Sequence, residues 1–473
     1  MKKYLAMLLA AVILLLPACG QDPSAGSPSS APSPSEQVNV PVQTNAPIQT
    51  DAPIQTDNVG PVETFDPSAI IEKTVLVDES DVKITVTGIK YTAYAVKLDL
   101  TIENNSNQNL SFHAGTMGYS CNSVNGYMVD DGYLYANVGP GKKSNESVSF
   151  SVDGLTLLGI TDIADIELGF SITTDGYDDY LITGPRQVRT SIADSYDYAA
   201  DTYRRAITDS GLARQLGFTV VHDSGDAPFD QKDVRVLSQT LIINSSGEPS
   251  LLVEVENSSG DMVYVSVGDT VLNGLSIQSG TWSTNRVSSG KRRVIAMNLS
   301  SMLDYPELLG LSEIGSVAYS FKIMDMDRDV LVIPPTLTFS IPGNATSYDA
   351  TGTELYQQGG IRIVAKGLAK DTFAYSDDLH LLLLIENNTF EQLRFDADYN
   401  SVSVNGYMTS FICFSRTVAP SGATVLDVEL IGSSLEKNGI TALGDITEVE
   451  LTIEVKNDSY KTVAEPVVKF TVG

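Results

Sequence analysis

A chain of 473 residues is too long for one core and is expected to divide into about three to four domains of ~100 to 200 residues. Hydrophobic residues at 42% against 19% charged exclude a wholly disordered chain, and three Cys with three His leave few ligands for a transition-metal site. With 30 Lys and Arg against 59 Asp and Glu the formal charge is −29, a surface that repels phosphate backbones, so no nucleic-acid partner is expected.

At the N-terminus Lys2 and Lys3 precede an apolar run from Tyr4 to Leu16, followed by Pro17, Ala18, Cys19 and Gly20. The run is too short to span a bilayer comfortably and ends at a small residue, which predicts a signal peptide over 1–18. Leu16, Ala18 and Cys19 resemble the lipobox of bacterial lipoproteins, although Pro17 departs from it. That resemblance implies a diacylglycerol with palmitate-type chains on the Cys19 sulfur. The expected location is the outer face of the cell membrane, extracellular, with the membrane itself as a partner through Cys19.

Residues 19–66 change abruptly to Pro, Ser, Gln, Thr and Asn, with no Lys or Arg between Tyr4 and Glu72. A hexapeptide recurs as NVPVQT at 39–44, NAPIQT at 45–50 and DAPIQT at 51–56. Proline every six residues biases the chain toward polyproline II, so this disordered tether reaches roughly 145 Å extended or about 40 Å as a coil.

Beyond residue 67, short alternating runs broken by Asn, Gly, Asp and Pro predict strands and turns. Three segments repeat the same landmarks in the same order. One strand in each ends at an acidic turn: Glu103-Asn104-Asn105, Glu256-Asn257-Ser258 and Glu386-Asn387-Asn388. Each then carries an Asn-Gly pair, in SVNGYM at 123–128, VLNGLS at 271–276 and SVNGYM at 403–408. From each Asn it is 13, 14 and 13 residues to Val138, Val287 and Val418, which open a second turn. Pro185, Pro335 and Pro466 introduce the last strands.

Six to eight short strands in about 120 residues predict an all-β architecture of three tandem antiparallel β-sandwiches, at 67–190, 217–343 and 351–473. The strand ending in Glu-Asn-Asn, the Asn-Gly pair and the Pro-Gly turn resemble the immunoglobulin-like domain of unknown function that recurs in lipoproteins of Gram-positive bacteria. The resemblance covers all three units and implies an extracellular sandwich with no catalytic residues to carry over. The middle unit departs from it at Leu275, where the others have Tyr127 and Tyr407, and at Thr240, where they have glycine.

Between the first two units, 191–216 reads as a helical linker. Tyr196, Ala199, Ala200, Tyr203, Ala206 and Ile207 fall at helical spacing from about Ser195 to Ser210, Ser195 is placed to cap, Gly211 follows as a stop, and Asp201 can pair with Arg205. The second linker, 344–350, is short and polar and should keep its neighbours close together.

Catalytic candidates are sparse. His113, His222 and His380 stand at different positions in the repeats and in no nucleophile motif. The recurrent acids Glu103, Glu256 and Glu386 each sit where a strand leaves its sheet. Asp325, Asp327 and Asp329, and likewise Asp396, Asp398 and Asn400, place acceptors at alternate positions but lack the Gly and Glu of a calcium loop. Cys121 and Cys413 belong to different units and are expected as free thiols. No metal, cofactor or enzymatic activity is expected. Tyrosines at Gly- and Asn-rich turns, Tyr127, Tyr133, Tyr135 and Tyr407, form a candidate binding surface. Two function classes remain: a non-catalytic binding or presentation module of the envelope, meeting a protein or a glycan, and a glycan-directed envelope hydrolase or accessory subunit using carboxylates.

Overall fold

An alternating strand buries one face only when a second sheet covers it. The computed structural model describes residues 68–115, 121–277, 283–299, 305–311, 313–333, 335–370 and 377–472. They form an all-β architecture of antiparallel sheets packed as sandwiches, with a few short helices. The segments expected as a signal peptide and a tether, with Cys19 between them, lie outside the described residues.

The same four-stranded sheet appears in each repeat. Its order is Thr74–Glu79, Val82–Tyr91, Ala95–Asn104 and Lys142–Ser151 in the first. In the second it is Phe218–Ser224, Val234–Asn244, Pro249–Asn257 and Lys291–Asn298, and in the third Thr353–Gln358, Ile361–Lys370, Leu379–Asn387 and Gly422–Leu430. The registers coincide, with Glu103 opposite Lys143, Glu256 opposite Arg292 and Glu386 opposite Ala423.

The inward positions of the third strand make the core: Val96, Leu98, Leu100 and Ile102; Leu251, Val253 and Val255; Leu381, Leu383 and Ile385. The last two sets pack with residues of the facing sheets, Phe321 and Phe339 in the middle repeat and Phe395 and Ile453 in the third. Burial of each such side chain contributes about 1.5 to 3 kcal/mol before the entropy of ordering is subtracted.

The acidic-turn landmarks have a structural reason. Asn104 Nδ2 donates to the carbonyls of Gln108 and Val138 at 2.8 and 2.7 Å, while its Oδ1 accepts from Ser106 N at 3.0 Å. Asn257 repeats this with Asp261, Val287 and Ser259, and Asn387 with Glu391, Val418 and Thr389. Each buried amide therefore ties its own turn to the valine that opens the next one. The departure at Thr240 also has a counterpart. The ladder shifts register at Gly88 and Gly367 in the outer repeats, but between Val236 and Ser238 in the middle one.

The repeats join through strand pairing. Tyr127–Met128 pairs in parallel with Lys291–Asn298, and Leu275–Ile277 with Gly422–Leu430. Among the described residues this produces sheets of nine and eleven strands that cross from one repeat into the next, and Phe65–Gly473 forms one compact unit. The sequence-derived limits between units therefore do not interrupt the hydrogen-bonded sheets.

The single helix expected from Ser195 to Ser210 is corrected to two short ones, Thr202–Ile207 and Ser210–Gln215. The Asp201 side chain accepts from Arg204 N and so starts the first helix six residues later than expected. Asp209, accepting from the N–H groups of Gly211 and Leu212, starts the second where a stop was expected. Asp201 is thus a cap, and Arg204 rather than Arg205 finds an acid, Asp223 at 3.0 Å. Tyr203, Ala206 and Ile207 are buried.

Candidate functional site

The three Asn-Gly pairs fold into the same two-residue turn. Asn125, Asn273 and Asn405 have φ of 47°, 48° and 51°, and Gly126, Gly274 and Gly406 have φ of 87°, 85° and 80°. Two successive positive φ values make the tight hairpin that matches strand twist, which is why this dipeptide recurs. Each Asn side chain pins its hairpin to a distant loop. Asn125 Oδ1 accepts from Ala164 N at 2.8 Å and Asp165 N at 3.1 Å, and its Nδ2 donates to Asp162 O at 2.8 Å. Asn273 does the same with Gly315, Ser316 and Glu313, and Asn405 with Thr447, Glu448 and Asp445.

Held in this way, the first two hairpins become docking strands, and Tyr127 leaves the candidate surface. It is 3% exposed at the first joint, where its hydroxyl donates to Glu254 Oε1 at 3.3 Å and accepts from Arg292 Nη1 and Tyr203 N, both at 3.4 Å. Ser238 Oγ donates to Glu254 Oε2 at 3.0 Å. Burial lifts the Glu254 carboxyl to about 7; Asp201 pushes the same way, and the Ser238 hydrogen bond and Arg292 oppose it. Around this cluster Arg292 pairs with Glu256 at 3.1 Å, Lys291 with Glu167 at 2.6 Å, and Arg293 with Asp130. The second joint is apolar: Leu275 is fully buried in one cluster with Val364, Leu384 and Ala423. Sequence reasoning missed Glu254, whose one signal is an acid at a position where the other repeats carry Thr101 and Leu384.

The remaining candidate tyrosines are exposed: Tyr133 by 60%, Tyr135 by 51% and Tyr407 by 57%. They do not converge. Tyr407 stands on the third hairpin, whereas Tyr133 and Tyr135 belong to the first repeat, Tyr135 on the strand Leu134–Val138. That strand and its neighbour Leu110–Ala114 turn Ser111, Asn137 and Tyr135 outward. With Asn109, Asp175 and Tyr177 they line a groove of about 310 Å³. Its polar groups are pre-ordered: Ser111 Oγ donates to Asn137 Oδ1 at 2.6 Å, Asn137 Nδ2 to the Tyr135 hydroxyl at 3.1 Å, and Asn109 Nδ2 to Asp175 Oδ2 at 2.9 Å. Tyr177, 89% exposed, is held at φ 64°, a conformation tyrosine rarely adopts. His113 packs against the Tyr135 ring at 5.1 Å, and burial pushes its pKa down.

The recurrent glutamates are not brought together. Glu103 pairs with Lys143 at 2.7 Å, Glu256 with Arg292, and Glu386 with Arg362 at 2.9 Å, one in each repeat. His222 lies against Phe339, and His380 holds Asp427 at 2.9 Å. Asp325 caps its own hairpin by accepting from Asp327 N and Asp329 N. Among the described residues no three metal-binding side chains converge. Cys121 is buried and Cys413 half-buried, both as free thiols, and burial pushes both up, Cys413 to about 12.

No family model matches the chain, and no curated protein sequence matches it. Among solved structures, a chain from work on host cell surface retention of a 1.5-MDa bacterial ice-binding adhesin aligns over 80% of this chain and 90% of that solved chain, at 13% identity and a TM-score of 0.13. A protein of unknown function from Porphyromonas gingivalis W83 aligns over 54% and 99%, at 12% identity and a TM-score of 0.15. Red sea bream transglutaminase aligns over 64% and 37%, at 13% identity and a TM-score of 0.15. TM-scores this low carry no argument about what the chain does.

Proposed function

We propose that the chain is a lipid-anchored, extracellular, non-catalytic binding module of the cell envelope, akin to the immunoglobulin-like lipoprotein domains its landmarks resemble. In this reading the first-repeat groove holds a neutral, polyhydroxylated glycan. The observation that carries the glycan assignment is the groove's chemistry. Two exposed tyrosine rings, Tyr135 and Tyr177, flank a floor of Ser and Asn side chains with a single carboxylate, Asp175. Such a site offers flat apolar faces for sugar rings and both donors and acceptors for hydroxyls, with little charge to attract an ion. The signal peptide, Cys19 and a tether long enough to lift the sheets away from a membrane support the location. The non-catalytic reading is supported by the recurrent glutamates, each engaged in an ion pair in a different repeat.

Titration of the full chain with solubilised envelope glycan fragments tests the groove. Tyr135→Ala and Tyr177→Ala are each expected to weaken binding by about tenfold or more, the scale of an aromatic contact at a binding centre. Melting temperatures should hold. Equal affinity in both variants, or no binding by the parent chain, would sink the assignment.

A further inference from the structure

The two joints differ in chemistry but share one geometry. In each, an Asn-Gly hairpin lays its second strand in parallel along the edge strand of the following repeat, with Tyr127 opposite Arg292 and Leu275 opposite Ala423. The first joint is polar, with Tyr127 on the Arg292–Glu256 pair and Glu167 on Lys291. At the second, small or apolar residues stand at the same positions: Leu275 lies opposite Ala423, and by register Ala318 and Gly422 take the places of Glu167 and Lys291.

One hairpin and one edge remain. The third hairpin repeats the first letter for letter as SVNGYM. Yet Tyr407 and Met408 are 57% and 58% exposed, against 3% and 5% for Tyr127 and Met128. Among the described residues its second strand pairs only with its own hairpin partner. At the other end of the molecule Lys142–Ser151 is the last strand of its sheet, again among the described residues. The register places Lys143 and Glu103, paired at 2.7 Å, where the first joint has Arg292 and Glu256. Lys142 stands where Lys291 does. Glu450, opposite Ser403, stands where Glu167 does, opposite Ser123. On the outer face Thr85 and Thr101 take the places of Ser238 and Glu254, so hydroxyls face the docked tyrosine.

We propose that the third hairpin docks on the Lys142–Ser151 edge of a second copy of this chain, setting Tyr407 against Lys143 and Glu103 and Glu450 against Lys142, and so continuing the polar joint from molecule to molecule. The occupant is a second copy because both halves of the polar joint are present on one chain, at opposite ends. Strand addition satisfies the open backbone edge, and the ion pair sets the register. Such an interface is heterologous: each copy offers one hairpin and one edge, so association runs head to tail. The chain's charge of −29 opposes it at low ionic strength, which sets physiological salt as the condition for measurement.

Sedimentation of the full chain in mild detergent should show mass rising with concentration. Lys142→Glu and Glu450→Lys should each weaken association by about tenfold, and mixing the two variant chains should restore it. Lys142 is exposed and Glu450 is half-buried beside Lys469 at 4.0 Å, so the melting curve of each variant separates lost association from lost folding. Under mild oxidation, a mixture of Tyr407→Cys and Lys143→Cys chains should give a disulfide-linked pair that neither chain gives alone, since neighbouring strands lie within bridging distance. A chain that keeps one mass at every concentration and yields no link between positions 143 and 407 overturns the proposal, as does self-association that is indifferent to both charge reversals.

Discussion

Glu254 carries an acid into a place where only a neutral group is comfortable. Its side chain is fully buried between Ser238 and Tyr127, with a pKa near 7 against an ordinary value of 4.5. Between those values the folded state binds more protons than the unfolded one, so stability is highest below about pH 4.5 from this group, falls as pH rises toward 7, and stays lower above it. Glu254→Gln keeps acceptor and donor in place and removes the titration. It is expected to raise stability at pH 8 by on the order of 2 kcal/mol and to leave stability at pH 4.5 nearly unchanged. Denaturant unfolding at the two pH values checks this, and an equal effect at both would assign the change to packing instead. The Asn-Gly turns are the opposite case: their positive φ values are readable from the dipeptide because they depend on adjacent residues alone.

At the scale of elements, the hairpin strands of two or three residues matter more than their length suggests. Leu275 is fully buried, contributed by one repeat to a cluster that includes Val364 and Leu384 of the next. Leu275→Ala is expected to cost about 2 to 4 kcal/mol through lost burial and the cavity left behind. The matching truncation Tyr407→Ala, at an open surface, should cost less than about 0.5 kcal/mol in the single chain. Unfolding curves of both variants compare them directly, and similar losses would contradict the joint. The linker between the first two repeats shows why apolar spacing alone misjudged the helix. Tyr203 and Ile207 do belong to a buried helical face, but the start points were set by Asp201 and Asp209, whose carboxylates cap N–H groups.

For the molecule as a whole, the outer faces of the four-stranded sheets record which repeats are covered. Leu379–Asn387 is buried at almost every position, whereas Ala95–Asn104 alternates between buried and accessible ones. The first repeat therefore keeps an accessible outer sheet face, the third an open hairpin, and the middle repeat is engaged at both. On the proposed location, attachment rests on one sulfur, because an acidic chain gains nothing from an anionic membrane surface. Cys19→Ala is expected to abolish incorporation of a fatty-acid analogue and to shift the mature mass, since two acyl chains hold a protein stably where one is marginal. An unmodified mature N-terminus at any other residue would refute the anchor.

Strands, turns, the threefold repeat and the sandwich class were legible in the chain because each rests on neighbours a few residues apart: alternation for strands, Asn-Gly for hairpins, Glu-Asn for the tied turns. The joints were not. The string SVNGYM is identical at 123–128 and 403–408, yet the first tyrosine is buried against Glu254 and the second faces outward. The groove beside Tyr135 was equally hidden, since Asp175 and Asn109 meet across 66 residues of chain. Local pattern sets the backbone conformation, but burial and charge pairing depend on which surface arrives from more than a hundred residues away, and only the packed sheets decide that.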